Sequence, residues 1–285
     1  MGTSQSSKGP GRNVPLVPPW VPLPPAPPPP EDADSYSPPD ASPSPDSPVS
    51  PGKTPSPAPA APTGRFRPAR MSLGSFAKSG SASVMRRGVS DYIRKGYGGH
   101  SSASRRFEGT ARTAGALHGA LSGLAGGASG EFIGVIDRAS LAGRSAREVI
   151  DAVIDAVRPV DGTQDAEASR EAINDALSDL LERFPDADLL ALSEEQRDLV
   201  IEIFTAQDVF RRLQLDLGKH IHEKVATVGE AMSRLSQIQD YVTEVVSAEF
   251  KRLRDGGISL QTGHIAAVVR KALTAAMEVF ELRRT

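Results

Sequence analysis

The chain has 285 residues, 24 prolines, no cysteine and a formal net charge of −2 at neutral pH. This length allows one or two domains. The lack of cysteine excludes disulfides, thiolate metal sites and cysteine nucleophiles, and the net charge excludes a uniformly basic nucleic-acid-binding protein.

The sequence begins with small, polar residues, among them Met1, Gly2, Thr3 and Ser4. Gly2 is small enough for Met1 to be removed, which would leave a glycine amine that no side chain hinders. Because an α-amino group has a reference pKa of about 7.7–8.0, part of this amine would be neutral and nucleophilic near pH 7. The same start, with Ser6, fits the short N-myristoylation pattern. A third interpretation is an arbitrary start to an unstructured segment.

Prolines are concentrated near the N-terminus, since every proline except Pro159 and Pro185 lies at or before Pro68. We therefore expect residues 1–63 to form a disordered tail and proline-rich linker, which has too little apolar surface to offset its chain entropy. Acidic residues dominate its stretch 31–46. The only tryptophan lies in a short proline-rich stretch that could dock on a partner in polyproline II form or pack on the protein's own body. These candidate docking residues are Pro15, Leu16, Val17, Pro18, Pro19 and Trp20.

Residues 64–130 form a second segment, rich in Gly, Ser, Ala and Arg, with short helices predicted at about 82–95 and 101–124. Its basic residues are interleaved with aromatic residues, and only Asp91 and Glu108 oppose them. Arginines bind phosphates and rings stack on bases, so nucleic acid is one candidate partner. An acidic protein and the acidic C-terminal part of the same chain are equally good candidates. The basic residues are Arg65, Arg67, Arg70, Lys78, Arg86, Arg87, Arg94, Lys95, Arg105, Arg106 and Arg112, and the aromatic ones are Phe66, Phe76, Tyr92, Tyr97 and Phe107.

Residues 131–285 predict an all-α domain, because the apolar patterns there have helical rather than alternating period. Capping boxes that begin at Ser145 and Ser193 mark two helix starts. The longest apolar pattern runs without a proline from Leu199 to about Arg254. A helix of this length lies across its neighbours, pairs with a second chain in a homo-oligomer, or folds back at a glycine kink.

Catalytic and membrane motifs are lacking in the sequence. His220 and His222 are two residues apart and so lie on different helix faces, whereas a zinc pair needs a spacing of four. No serine lies in a nucleophile-elbow pattern. We therefore expect a protein that is not an enzyme and uses no metal or other cofactor. Without a signal peptide or a run of 18 apolar residues, we expect a cytoplasmic location and no membrane segment.

Residues 1–4, 15–20, 65–74 and 105–117, on either side of the proline linker, are similar to the QatB family of the bacterial Qat anti-phage system. This resemblance implies a defence component that acts with a QatA-like P-loop ATPase, a QatC-like enzyme of the QueC family and a TatD-like nuclease. QueC-type enzymes use ATP to activate a deazaguanine carboxylate, which an amine then attacks.

The resemblance also implies a role for two parts of this chain. Gly2 would supply the amine that is joined to deazaguanine in an amide, and the helical body would bind the partner ATPase. The alternative, of a different class, is a nucleic-acid-binding adaptor that acts through the basic segment 64–112.

Overall fold

The computed structural model describes residues 64–126, 136–258, 260 and 264–283, and their regular structure is helical, as predicted. The predictions for residues 1–63, which include Gly2 and the stretch 15–20, lie outside the described residues. So does the predicted boundary at residue 130. A π-helical turn (Tyr92–Gly96) follows the second helix. The α-helices of the described residues are α1 (Arg67–Ser79), α2 (Ala82–Asp91), α3 (His100–Arg106), α4 (Glu108–Leu124), α5 (Arg138–Leu141), α6 (Ala146–Val157), α7 (Gln164–Arg183), α8 (Glu194–His222), α9 (Val228–Asp255) and α10 (Ile265–Leu282).

Helix α8 lies at the centre of the fold and packs against α1, α4, α7 and α9. Helix α10 covers α2, α3, α4 and α9. Buried residues from both sides of position 130 belong to one hydrophobic core, so the basic segment is packed together with the C-terminal helices. No helix in the described parts of the chain is long and apolar enough to cross a membrane.

Both predicted capping boxes are confirmed. The Ser145 hydroxyl accepts a hydrogen bond from the Glu148 N–H at 3.3 Å, and the Ser193 hydroxyl accepts one from the Gln196 N–H at 3.3 Å. In each box the side chain of the fourth residue accepts a bond from the serine N–H in return. These bonds satisfy N–H groups that the first turn leaves without partners, so α6 and α8 begin where the sequence predicts.

Of the three alternatives for the long apolar pattern, the structure shows the fold-back, but α8 and α9 are separated over residues 223–227 and not at Gly218 or Gly229. Thr227 starts a new helix, because its hydroxyl accepts a hydrogen bond from the Glu230 N–H at 3.1 Å in a third capping box. Arg254 near the end of α9 pairs at 2.7 Å with Glu202 near the start of α8, so the two helices run antiparallel. Each helix covers an apolar face of the other, and this removes the sequence argument for a homo-oligomer.

Helix α1 is an element that the sequence analysis missed. Pro68 lies in its first turn, where the fixed φ of proline suits a helix start. Gly80 ends it with φ +67°, a left-handed conformation that favours glycine. Leu73 of α1 is fully buried, and a Cβ on Gly88 of α2 would overlap its Cδ2. The missing side chain at Gly88 therefore allows α1 and α2 to approach closely.

The aromatic residues of the basic segment line the protein interior, so the prediction that they offer stacking surfaces is wrong. Phe66, Tyr92, Tyr97 and Phe107 pack ring against ring, with centroids 5.1–6.1 Å apart. The hydroxyls of Tyr92 and Tyr97 donate to one oxygen of Asp216, at 2.8 and 3.1 Å. Burial of a ring removes about 150–250 Å² from water, which favours the core over a solvent-exposed stacking face.

Candidate anion-binding cleft

A cleft with a volume of about 560 Å³ opens between α3 and α4 on one side and α6, α7 and α8 on the other. Its size lies within the range of small-ligand sites, which is about 300–1,000 Å³. Its lining contains five arginines and two carboxylates, so the charge of its walls favours an anion. These charged residues are Arg105, Arg106, Arg112, Arg158, Arg212, Glu108 and Asp165.

The cleft is built over a buried carboxylate, that of Asp208 on α8, which is 0 % exposed. Thr110 of α4 donates a hydrogen bond to one of its oxygens, and Ser169 of α7 donates to the other at 2.6 Å. Arg212, one helical turn further along α8, donates from Nε at 2.9 Å to the same Asp208 oxygen as Thr110. Because a buried charge is tolerated only when it is paired and hydrogen-bonded, these contacts fix three helices around the carboxylate.

Arg212 joins this buried network to the cleft. Its Nη1 lies 2.9 Å from Asp165 on the cleft wall, and its guanidinium carbon lies 5.8 Å from the centre of the Phe107 ring. Burial disfavours the charge of Arg212, but the carboxylates of Asp208 and Asp165 outweigh it, so the pKa of this guanidinium lies above its ordinary value. Arg212 is thus a fixed positive charge at the floor of the cleft.

The other four arginines of the cleft lining, which we call the rim arginines, differ in whether they already form an ion pair. Arg106 pairs with Asp165 at 2.7 Å, and Arg158 pairs with the exposed Asp161 at 3.1 Å. Arg105 and Arg112 are exposed, and neither forms an ion pair with a residue that the structure describes. These two guanidiniums can therefore take an anionic ligand without first breaking an ion pair.

Only part of the predicted basic surface is brought together in the cleft, namely Arg105, Arg106 and Arg112. Arg65 lies over the rings of Phe66 and Tyr97. The other predicted residues lie outside the cleft lining, on α1, on α2 and on the π-helical turn: Arg67, Arg70, Lys78, Arg86, Arg87, Arg94 and Lys95.

The acidic C-terminal part of the chain does neutralise some of the basic segment, through the pair of Arg106 with Asp165. Lys95 pairs instead with Asp91 inside the segment, at 2.8 Å. Glu108 is an acidic residue of the basic segment, and it pairs with a basic residue of the C-terminal part, Arg270 of α10. These contacts leave most of the predicted basic residues exposed, so internal neutralisation accounts for only a small part of the basic surface.

Sequence reasoning missed the C-terminal half of the cleft. Arg158, Arg212, Asp165 and Asp208 all lie outside the segment in which basic residues cluster. One signal was present, because Asp208 is four residues after Phe204 and so lies on the same apolar face of α8. A carboxylate on a buried face indicates a buried ion pair, and Arg212 is four residues further on.

The family model described as "Qat anti-phage system associated protein QatB" matches residues 98–280, which is more than half of the chain. The chain belongs to the QatB family. The family predicted from the sequence is thereby confirmed, and membership gives the protein a role in the Qat anti-phage defence system. No curated protein and no solved structure matches the chain.

All residues that line the cleft lie inside the region matched by the QatB family, whereas Gly2, the stretch 15–20 and helices α1 and α2 precede it. QatB is not known as a family of enzymes. Among the described residues, no group of three or more His, Asp or Glu side chains could hold a metal ion. The chemistry that the cleft itself offers is the binding of an anion.

A second buried polar site lies in the C-terminal half of α4, where His118 faces Asp198 of α8. His118 Nε2 is 4.0 Å from Asp198 Oδ1, and neither atom has a hydrogen-bond partner among the described residues. The hydroxyl of Ser122 lies 3.4 Å from His118 Nδ1, but both residues are buried, so this Ser–His–Asp arrangement is closed to a substrate. Burial lowers the pKa of His118 to about 4 and raises the pKa of Asp198 to about 6.

These two shifts predict opposed pH dependences that cancel in the intact protein. Between pH 4 and 6 the folded pair holds one proton, on Asp198, and the unfolded pair also holds one, on His118, so the pair adds little slope to stability. In Asp198→Asn, His118 alone remains, and stability should fall as the pH falls from 6.5 toward 4. In His118→Gln, stability should rise as the pH falls from 6 toward 4.

Urea denaturation at several pH values measures both effects, each compared with the unaltered protein so that other carboxylates cancel. The free energy of unfolding plotted against pH should have a slope that differs between either variant and the unaltered protein by up to about 1.4 kcal/mol per pH unit. Parallel pH profiles for the three proteins would contradict the assignment.

Proposed function

We propose that this protein is a non-enzymatic component of a cytoplasmic anti-phage complex. Its N-terminal Gly2 is presented for conjugation to a deazaguanine by a QueC-like partner, and its helical body binds the partner ATPase. Membership of the QatB family is the observation that supports this proposal, because it places the chain in a defence system with partner proteins. The unhindered glycine at position 2 supplies the chemistry.

Conjugation requires a neutral amine, an activated carboxylate and access for the enzyme. The Gly2 nitrogen forms a bond to the carboxyl carbon of the ATP-activated deazaguanine, the activating phosphate group leaves, and the nitrogen loses a proton. An α-amino group with a pKa of about 7.7–8.0 is partly neutral near pH 7. Residues 3–63 separate Gly2 from the first described residue, Gly64, and their proline-rich composition is typical of an extended linker.

One face of helix α9 is a candidate surface for the ATPase contact. Val228 and Met232 lie four residues apart at the start of α9, and they are 70 % and 64 % exposed. Residues with this spacing share one helix face, so the two side chains form a small exposed apolar area. We assign the contact with the ATPase to this face, with the stretch 15–20 as a second docking element.

Co-expression with the other Qat components tests the conjugation directly. The intact mass should correspond to a chain that lacks Met1 and carries one deazaguanine amide, and the added mass should depend on the QueC-like partner. Gly2→Trp should retain Met1, lack the added mass and lose phage protection, because a bulky residue prevents both Met1 removal and attack by the amine. Thr3→Ala is the matched control and should behave like the unaltered protein.

Two results would contradict this function. One is phage protection by cells in which all of the protein lacks the added mass. The other is a myristoyl mass at Gly2, which would assign the same residue to lipidation. Co-purification of the ATPase with Val228→Glu/Met232→Glu, compared with the exposed control Val160→Glu, tests the body contact in the same cells.

A second candidate function, that of an adaptor for nucleic acid, rests on two cleft arginines that form no ion pair with any described residue. Arg105 and Arg112 are free to bind phosphates, and Arg212 adds a fixed positive charge below them. None of the described residues that line the cleft is aromatic. Binding would therefore depend on phosphate contacts rather than on base stacking, and it would be weakly selective for sequence.

Arg105→Glu/Arg112→Glu should abolish such binding without unfolding the protein, since neither arginine is buried or ion-paired among the described residues. A gel shift with single-stranded DNA should show affinity that falls with salt by a log–log slope of roughly −0.7 for each phosphate contacted. Arg147→Glu/Lys251→Glu reverses two exposed charges outside the cleft and should bind normally. Equal binding by both double variants would remove the cleft from this function.

A further inference from the structure

The exposed side of helix α1 carries positive charge and no negative charge. Arg67, Arg70, Met71 and Lys78 lie on it, because spacings of three, four and seven residues repeat on one side of a helix. Helix α1 contains no Asp or Glu, and its three basic residues form no ion pair with any described residue. Met71 is 66 % exposed. We call these four residues the α1 face, and none of them lines the arginine cleft.

A groove with a volume of about 480 Å³ lies between α7, α8 and the turn that precedes α7. Leu215 of α8 lines it and is 48 % exposed, so the groove offers an apolar contact. A second depression shares Glu167, Glu171 and Arg211 with this groove and extends it along α7 toward α6. We call the two together the α7–α8 groove. Four carboxylates and two arginines line it, namely Asp151, Glu167, Glu171, Asp175, Arg170 and Arg211.

The α7–α8 groove keeps an excess of negative charge beside its internal ion pairs. Arg211 pairs with Glu171 at 2.9 Å. Asp151 and Glu167, in contrast, are exposed and form no ion pair with any described residue. A basic surface with an apolar side chain at its centre is therefore complementary to the groove, and the α1 face is such a surface.

The α1 face and the α7–α8 groove also have the same length. Arg67 and Lys78, the ends of the α1 face, are eleven residues apart, and so are Gln164 and Asp175, the first and last α7 residues of the groove. Eleven residues of an α-helix rise roughly 16 Å at 1.5 Å per residue. One helix can thus lie along the other over the whole groove.

The order of the side chains matches when the two helices run in the same direction. With Met71 opposite Ala168 and beside Leu215, Arg70 lies opposite Glu167, because each charged residue precedes its apolar neighbour by one position. The lysine at the end of the α1 face then lies opposite the last carboxylate of the groove. In this single register apolar side chains meet each other and basic side chains meet acidic ones.

The α1 face cannot reach the groove of its own molecule. Helix α1 packs against α8 where Gly74 meets the side chain of His220. Leu215 is five residues before His220, and at 3.6 residues per turn the two lie about 140° apart around α8. The groove and α1 are therefore on different sides of the same helix, and an α1 that fills the groove has to come from a second molecule.

We propose that the α1 face of one molecule docks in the α7–α8 groove of a second copy of this chain. The contact joins two different surfaces, so each copy retains a free α1 face or a free groove, and the copies form a ring or an open chain. The proposal is independent of the conjugation at Gly2 and of the ATPase contact, since neither surface contains residues assigned to them.

Charge reversal in the purified full-length protein tests the contact without any partner. At low salt, where exposed ion pairs are least screened, the average mass measured by sedimentation equilibrium should rise with concentration from one chain to two or more. Arg70→Glu alone and Glu167→Arg alone should each remain at the mass of one chain. An equal mixture of these two variants should associate again, because the reversed face fits the reversed groove. The exposed control Arg147→Glu should associate like the unaltered protein.

Cross-linking tests the register, because the chain contains no cysteine of its own. A mixture of Met71→Cys protein and Leu215→Cys protein should form a disulfide-linked pair under mild oxidation, at several times the yield of either variant alone. Leu282→Cys, at a side chain that is 70 % exposed, replaces Leu215→Cys in the control mixture and should give only the background yield.

Three results would overturn the proposal. They are the mass of one chain at every concentration, association that Arg70→Glu leaves unchanged, and equal cross-linking yields in the test and control mixtures. The intact-mass test of Gly2 does not depend on any of them, so failure of the docking and failure of the conjugation are distinguishable.

Discussion

A buried carboxylate needs hydrogen-bond donors and a counter-charge, and Asp208 imposes this requirement on three helices. Thr110 comes from α4, Ser169 from α7, and Arg212 from the same helix as Asp208. Each donor fixes the helix that carries it, because leaving one bond unmade inside the protein costs about 1–3 kcal/mol, and more beside a charge. Asp165 on the cleft wall pairs with Arg212 in turn, so the same network also positions the cleft walls.

The same network explains why the cleft keeps an excess of positive charge. Arg212 is neutralised from below by Asp208, so the charge that it presents is held in place but is partly compensated. Arg105 and Arg112 form no ion pair with a described residue, so they are the arginines of the cleft that are most accessible to an anion.

The sequence predicted the elements whose signals are local. Capping boxes gave the starts of α6 and α8, and apolar periodicity gave the helical class. The break between α8 and α9 lies between Gly218 and Gly229 and not at either glycine, because the threonine cap at residue 227 decides where the helix restarts. The cleft could not be predicted as a whole, since it joins Arg105 to Arg212 across helices whose packing is set by tertiary contacts and not by neighbouring residues.

Arginines and aromatic residues are interleaved in the sequence, but the prediction that both kinds of side chain lie at the surface is wrong. In a helix, residues a few positions apart can face opposite sides, so the rings of Tyr92 and Phe107 turn inward while Arg94 and Arg105 remain outside. The measurement that tests the central role of Asp208 most directly is the free energy of unfolding of Asp208→Asn, compared with the exposed control Asp240→Asn. We predict a loss of about 3–5 kcal/mol for the buried change and less than about 0.5 kcal/mol for the control. Equal stabilities for the two variants would contradict this role.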